Sequence, residues 1–237
     1  MAALLEKLIP NLLDYQDKFF DACIATLQMF AISGVISFFL GLIIGVILTV
    51  TKNDGIKPNR VIFSINDIFI NVFRSIPFII LLIFLIPFTR TLVGTAIGVT
   101  RAIVPLVFGT VPFFARQVET ALANVAPGKI EAARSMGSST FGLIFRIYLH
   151  EAVPELVRVT TITAISLVGL TAMAGAVGAG GLGDFAISYG QNLFHQDIVN
   201  VCVIVLLIFV CILQGIGSFL AKKTTNRGLF KKSHSKK

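Results

Sequence analysis

Glu131-Ala132-Ala133-Arg134-Ser135-Met136-Gly137 lies between two apolar regions of membrane grade. It reads as a short exposed helix. Pro127 suits a first helical turn, where its missing N–H costs nothing, Glu131 near that start complements the positive end of the helix dipole, and Gly137 supplies a stop. Such a helix is ~15 Å long at 1.5 Å per residue. Ala and Gly carry little bulk, so another surface can approach the backbone closely. On these residues alone, an ordinary loop helix and a docking helix are both open readings.

The surroundings fix the class. The chain has 237 residues, 55% hydrophobic and 14% charged, where a soluble domain carries about 25% charged residues. Mean hydropathy is +0.88. These values suit an all-α membrane protein of about five or six transmembrane helices with short loops, and about five is the reading taken here. The net charge of +8 falls in loops between apolar spans, which argues for orientation signals rather than nucleic-acid binding. Phe is abundant (21 residues) and Trp absent. Cys23, Cys202 and Cys211 sit in apolar segments without metal-site or disulfide spacing and read as packing residues. No cleavable signal peptide is expected, since acidic and polar positions interrupt the first twenty residues.

Three regions follow: a polar–apolar lead at 1–18, a membrane domain at 19–221 with a loop at 124–150, and a basic tail at 222–237. In the lead, Leu4, Leu5, Leu8 and Leu12 share a helical face, which suits either a surface-lying helix or a loosely packed terminus. The spans are expected at Phe19–Val50, Val61–Phe88, Val99–Leu122, Pro154–Ala174 and Ile198–Leu220. Gly41 and Gly45 have the spacing that permits close helix approach. Thr89–Gly98 and Asp184–Asp197 read as loops, His195 and Asp197 as a surface pair, and the tail after Leu220 as a disordered basic segment attracted by anionic headgroups.

Polar residues within spans are the functional candidates. Asp67, Asn71 and Arg74 have i, i+4, i+7 spacing and form one face. They read as a structural Asp67–Arg74 network near the inner surface or as a functional group, with Pro77 distorting the helix beyond. Arg116 and Glu119, one turn apart, read as a structural pair. Phe141, Ile144, Phe145 and Tyr148 form an apolar stripe at helical spacing, suited to packing the loop on the bundle. Thr163, Ser166, Leu170 and Met173 share a face of the fourth span. Its hydroxyls either bond to the preceding turn or line a solute path, with Met173 a flexible apolar plug. Gly178, Gly180 and Gly183 spell G-x-G-x-x-G, but no strand precedes them, so a dinucleotide site is rejected. The run Gly175–Gly183, with Gly178, Gly180 and Gly181, is either a plain turn or a bend facing a cavity, where irregular backbone is tolerated at depth.

The loop also resembles a known family. Permease subunits of bacterial ABC importers carry EAA, three residues, G, nine residues and I-x-LP. Here stand Glu131-Ala132-Ala133, Gly137, Ile147 and Leu149, with His150 in place of the proline and Pro154 four residues on. The run Ser166-Leu167-Val168-Gly169 through Ala172–Asp184, together with Arg74-Ser75-Ile76-Pro77-Phe78, is similar to the methionine-type permeases. The resemblance extends from about Ala22 to about Gly217. It implies a type I ABC importer permease fold and a homodimer. It implies two ATPase subunits that bind ATP and Mg, with no cofactor in this chain, and an external substrate-binding (lipo)protein. Glu131, Ala132, Ala133 and Gly137 would then form the coupling helix that docks on the ATPase, and methionine, L or D, would be the solute. His150 leaves the following bend open.

Other classes fit less well. Betaine or phosphonate importers share the glycine-rich turn. An ion-coupled secondary transporter predicts membrane carboxylates and an inverted repeat, and Asp67 is the lone candidate acid. An enzyme needs a catalytic constellation that is not seen, and the sequence has no Walker A pattern. Counting charges by loop parity places Lys52, Lys57, Arg60, Arg116, Lys129, Arg134, Arg146 and the tail on one side, against Lys7, Lys18, Arg90 and Arg101. The positive-inside rule therefore puts the N-terminus outside and the C-terminus in the cytoplasm, and the resemblance implies the bacterial inner membrane. A reporter fused after Lys237 should accordingly give a cytoplasmic signal; a signal from the outer side would reverse the topology.

Overall fold

The computed structural model describes residues 10–94 and 98–234, with backbone alone at 93 and 226–234. Leu4, Leu5 and Leu8 of the lead lie outside the described residues. In chain order the helices are α1 (Pro10–Asp14), α2 (Gln16–Thr51), α3 (Arg60–Ser75), α4 (Phe78–Phe84), α5 (Ile86–Val93), α6 (Val99–Ala123), α7 (Pro127–Ser135), α8 (Thr140–Ala176), α9 (Gly181–Phe185) and α10 (Gln196–His234). No strand occurs among the described residues. α2, α6, α8 and α10 are long and apolar enough to cross a membrane. The pair α3–α4, bent by 104°, brings the number to five when it is counted as one span.

Several expectations are corrected. The second span is broken at Pro77, not merely distorted, because proline there cannot continue the hydrogen-bond ladder of α3. Thr89 belongs to α5. The segment after Gly183 is helical, with a π-helical stretch at Ala186–Gln191 following α9. The basic tail continues α10 to His234 rather than losing structure after Leu220.

The chain forms two compact units. One comprises residues 1–36, 76–110 and 165–212. Met29, Leu82, Leu106, Leu167 and Ala174 form one of its cores. In another, Leu12 and Ala22 pack with Phe185, Ile198 and Cys202. Leu12 anchors α1, and Asn11 donates through its backbone and side-chain nitrogens to the two Asp197 carboxylate oxygens, each at 3.0 Å. The described end of the lead is therefore docked, and Asp197 is engaged by Asn11 rather than by His195. Cys202 is buried and Cys23 packs beside it, as apolar residues would; Cys211 is exposed.

The other unit comprises residues 37–75, 111–164 and 213–237. Its core gathers Phe114, Val118, Leu122, Tyr148, Ala152 and Val159. Gly41 and Gly45 let α2 close on α6. A Cβ on Gly45 would stand 2.6 Å from the Val118 Cβ and 2.7 Å from the Ala115 carbonyl oxygen. The loop between α2 and α3 is tied back by Lys57 N–H to the Val50 carbonyl (3.0 Å) and Asn59 N–H to that of Thr51 (2.9 Å). Asn59 then caps α3, its Oδ1 accepting from Val61 and Ile62 N–H at 3.1 Å.

Much apolar surface is uncovered. Ile43 of α2, Ile65 and Ile68 of α3, and Leu207 and Phe219 of α10 are all more than half exposed. Such a surface is what lipid, not water, accommodates. Gly45→Leu should lower the thermal stability of the detergent-solubilised protein by an overpacking penalty of about 1–3 kcal/mol. Gly215→Ala, with nothing within 4 Å of its added Cβ, should melt like the parent in the same assay.

Candidate functional site

α7 begins at Pro127, as its sequence requires, and ends in a Schellman motif. Ser138 N–H reaches the Ala133 carbonyl (3.1 Å), and Gly137 N–H reaches that of Arg134 (2.9 Å). Gly137 has φ +78°, which a residue with a Cβ adopts only at a cost. The two alanines of Glu131-Ala132-Ala133 separate: Ala133 is buried, while Glu131 and Ala132 are exposed. Ile130 packs on the core beside Tyr148. α7 rests on the π-helical stretch Leu143–Tyr148 inside α8.

That stretch corrects the expected apolar stripe. Leu149 N–H bonds the Ile144 carbonyl five residues back, and this wider turn brings Leu143 and Tyr148 inward together. Phe141 and Phe145 are left 75% and 63% exposed, and Met136 is 78% exposed. Three large apolar side chains within ten residues of the same polar loop thus remain uncovered. His150 stands in regular helix, and Pro154 is accommodated within α8, so the missing motif proline leaves no break there.

The polar cluster is built around Arg116. Its Nη2 lies 2.5 Å from Asp67 Oδ1 and 3.2 Å from Asn71 Oδ1, its Nη1 lies 2.6 Å from Glu119 Oε2, and Asn71 Nδ2 closes the ring on Asp67 Oδ2 at 2.9 Å. All three charged side chains are mostly covered, Glu119 at 13% exposure. Asp67 and Asn71 are thus brought together as their spacing implied, but the cation is Arg116, and Arg74 is exposed outside the ring. The two halves, 67–71 and 116–119, were each visible in sequence. Their pairing, 49 residues apart, depends on α3 packing against α6.

In the unit holding the glycine-rich run, α8 ends with Gly178 N–H on the Gly175 carbonyl and Ala179 N–H on that of Ala174, a second Schellman pattern. Gly180 follows at φ +87°, ψ −172°, a region open essentially to glycine alone. A Cβ on Gly181 would meet Met29 Cε and Thr26 Oγ1 at 2.7 Å. Buried Thr26 accepts from Leu182 N–H at 2.8 Å and donates to the Ala22 carbonyl. One hydroxyl thereby satisfies an orphan donor at the start of α9. Thr26 escaped sequence reasoning because its partner lies 156 residues away.

The expected Thr163–Ser166–Leu170–Met173 face divides. Thr163 is buried and its hydroxyl bonds the Val159 carbonyl at 2.8 Å. Thr160, Thr161 and Thr171 likewise bond within their own helix, and Leu170 packs into the core. Ser166, Gly169, Met173 and Ala176, at spacings of three and four, remain open. No cluster of metal-ligating residues occurs among the described residues.

A helical membrane body, with a short exposed helix bearing Glu131-Ala132-Ala133 and Gly137 on its polar loop, defines a transport component. The chain belongs to the family of binding-protein-dependent transport system inner membrane components, whose family model matches residues 22–226. It is a multi-pass permease subunit of the inner membrane, not an enzyme. Among its relatives, the probable D-methionine transport system permease protein MetI of Vibrio cholerae is 43% identical over 202 residues, covering 85% of this chain and 90% of that protein. The D-methionine transport system permease protein MetI of Escherichia coli K12 is 47% identical over 137 residues, covering 58% and 63%. A chain of the inward-facing MetNI methionine ABC transporter superposes with a TM-score of 0.86 at 42% identity, covering 89% of this chain and 98% of that one. The fold is that of a type I importer permease.

Arg116→Ala should destabilise the protein by about 1–3 kcal/mol, since it leaves Asp67 and Glu119 without their shared cation. Arg74→Ala should leave the melting temperature in lipid nanodiscs unchanged. Equal effects of the two would argue against the ring as the stabilising group.

Proposed function

We propose that this chain is the permease subunit of an ATP-driven importer that takes up methionine, as the L-isomer, the D-isomer or both. Two copies pair about a two-fold axis, two ATPase subunits bind ATP and Mg on the cytoplasmic side, and an external binding protein delivers the solute. The observation that carries this reading is α7: a helix held by its inner face through Ile130 and Ala133 while Glu131, Ala132 and the Met136 side chain stand free. The relatives named for D-methionine transport supply the solute.

In this reading α7 is the coupling helix. Its small exposed residues admit a groove of the ATPase, and Met136, Phe141 and Phe145 offer apolar area to that partner. Closure of the ATPases displaces α7, and each permease rocks between outward and inward states. The open stripe Ser166, Gly169, Met173 and Ala176 faces the solute path or the second copy. Thr163 plays no direct part in that lining, since its hydroxyl is committed to its own helix. The glycine turn with Gly178, Gly180 and Gly181, riveted by Thr26, holds the end of α8 at a fixed place beside the path. Asp67, Asn71 and Arg116 keep α3 against α6 as the subunit moves.

The test is uptake of labelled methionine into proteoliposomes containing this chain, its ATPase and its binding protein, with unlabelled glycine betaine and a phosphonate as competitors. ATP-dependent uptake suppressed by methionine alone is expected. ATP-dependent uptake of another solute would discard methionine, and uptake driven by an ion gradient without the ATPase would discard the importer. Gly137→Leu should insert normally yet lose most uptake, because a Cβ at φ +78° costs about 1–2 kcal/mol and the side chain blocks close approach.

A further inference from the structure

α7 has nine residues, too short to be stable alone, so whatever holds it also determines what it can move. Its inner face is packed through Ile130 and Ala133. At its N-terminal end packing stops. A cleft of about 320 Å³, lined by residues that include Asn124, Ala126, Glu151 and Glu155, separates the start of α7 from α8. Lys129 and Glu151 line the same cleft and form an ion pair across it. At the other end Arg134 reaches out of α7 to the α2–α3 loop, where its Nη2 donates to the Ile56 carbonyl at 2.8 Å and lies 3.5 Å from that of Gly55. That loop is itself tied to the last turn of α2 and caps α3.

We propose that Lys129–Glu151 and Arg134–Ile56 are the two links through which displacement of α7 is passed on, the first to α8 and the second to the α2–α3 loop. The proposal rests on the importer reading for its motion, but the links themselves are features of this chain. Apolar contacts such as those of Ile130 resist separation and tolerate sliding. A directional hydrogen bond and a charge pair spanning a gap resist both. Lys129 and Arg134 are therefore positioning residues. Both members of the ion pair are substantially exposed, at 48% and 39%, and exposed pairs add little to folding stability. A purely structural role predicts almost no phenotype. A transmission role predicts that transport and hydrolysis come apart in a folded protein.

The experiment measures solute transported per ATP hydrolysed in the reconstituted complex, alongside the mobility of a nitroxide at Met136→Cys. The label is placed in a full-length chain in lipid bilayers whose native cysteines are replaced by alanine. K129E and E151K should each lower the transport-to-hydrolysis ratio by at least about fivefold, the low end of ordinary coupling between sites, and should raise label mobility. The double variant K129E/E151K should restore both readouts. R134A should behave like the single charge variants, and R134K should recover only in part, because an ammonium lacks the planar donor fork of guanidinium. Unchanged ratio and mobility in all single variants, or failure of the charge swap to restore them while the protein remains monodisperse, would overturn the proposal. If the parental complex hydrolyses ATP without moving methionine, the importer reading fails. The label mobilities, measured without any ATPase, still decide whether the two links hold α7.

Discussion

A peptide group in hydrocarbon has no water to bond, so every N–H and C=O within a span must find a partner in the protein. The architecture follows from that constraint. Long helices make up the spans, and the departures from helix carry their own hydrogen-bond solutions. α7 and α8 both end in paired Schellman bonds at a glycine, α3 starts on an Asn59 cap, and α9 starts on the Thr26 hydroxyl. The two π-helical stretches keep the ladder continuous while shifting its register. Irregularity is concentrated around the EAA helix, at the glycine-rich turn and at the Pro77 break between α3 and α4.

Close packing is obtained by small residues and then secured by a few polar contacts. Gly41 and Gly45 bring α2 onto Phe114 and Val118, where dispersion supplies the attraction that hydrophobic burial cannot supply between helices in lipid. Arg116 then fixes α3 to α6 through a ring of two carboxylates and one amide. Arg116 offsets the desolvation of both acids, and they offset that of Arg116. The hydroxyl-rich fourth span works differently. Its threonines Thr160, Thr161, Thr163 and Thr171 bond back to their own helix, so most of the polarity in its sequence is spent internally, and the open face carries Ser166 beside Gly169 and Met173.

Periodicity and composition reveal the first and third spans to within a few residues, the stop at Gly137 and the special character of the glycine run, but they start the fourth span at Pro154, whereas its helix begins at Thr140 in the polar loop. They mislead wherever the backbone leaves the 3.6-residue period. Phe141, Phe145 and Tyr148 look like one stripe on a regular helix, yet the π turn sends Tyr148 inward and both phenylalanines out. Arg74 looks like the mate of Asp67 because they share a face, but intrahelical spacing cannot anticipate a better-placed cation on another helix. Asp184–Asp197, with its glycine and polar residues, looks like loop and is largely helix.

The sequence by itself determined that this is a helical membrane protein, where its apolar spans lie and where its EAA helix begins and ends. These properties depend on hydropathy, proline and glycine, whose effects are local. Only the tertiary structure decided which polar residues meet: Arg116 with Asp67, Thr26 with Leu182, Lys129 with Glu151, Arg134 with Ile56. Each pair joins residues 22 to 156 positions apart. Which of the many available donors and acceptors come within bonding distance is set by how the helices cross, and no periodicity along the chain encodes that.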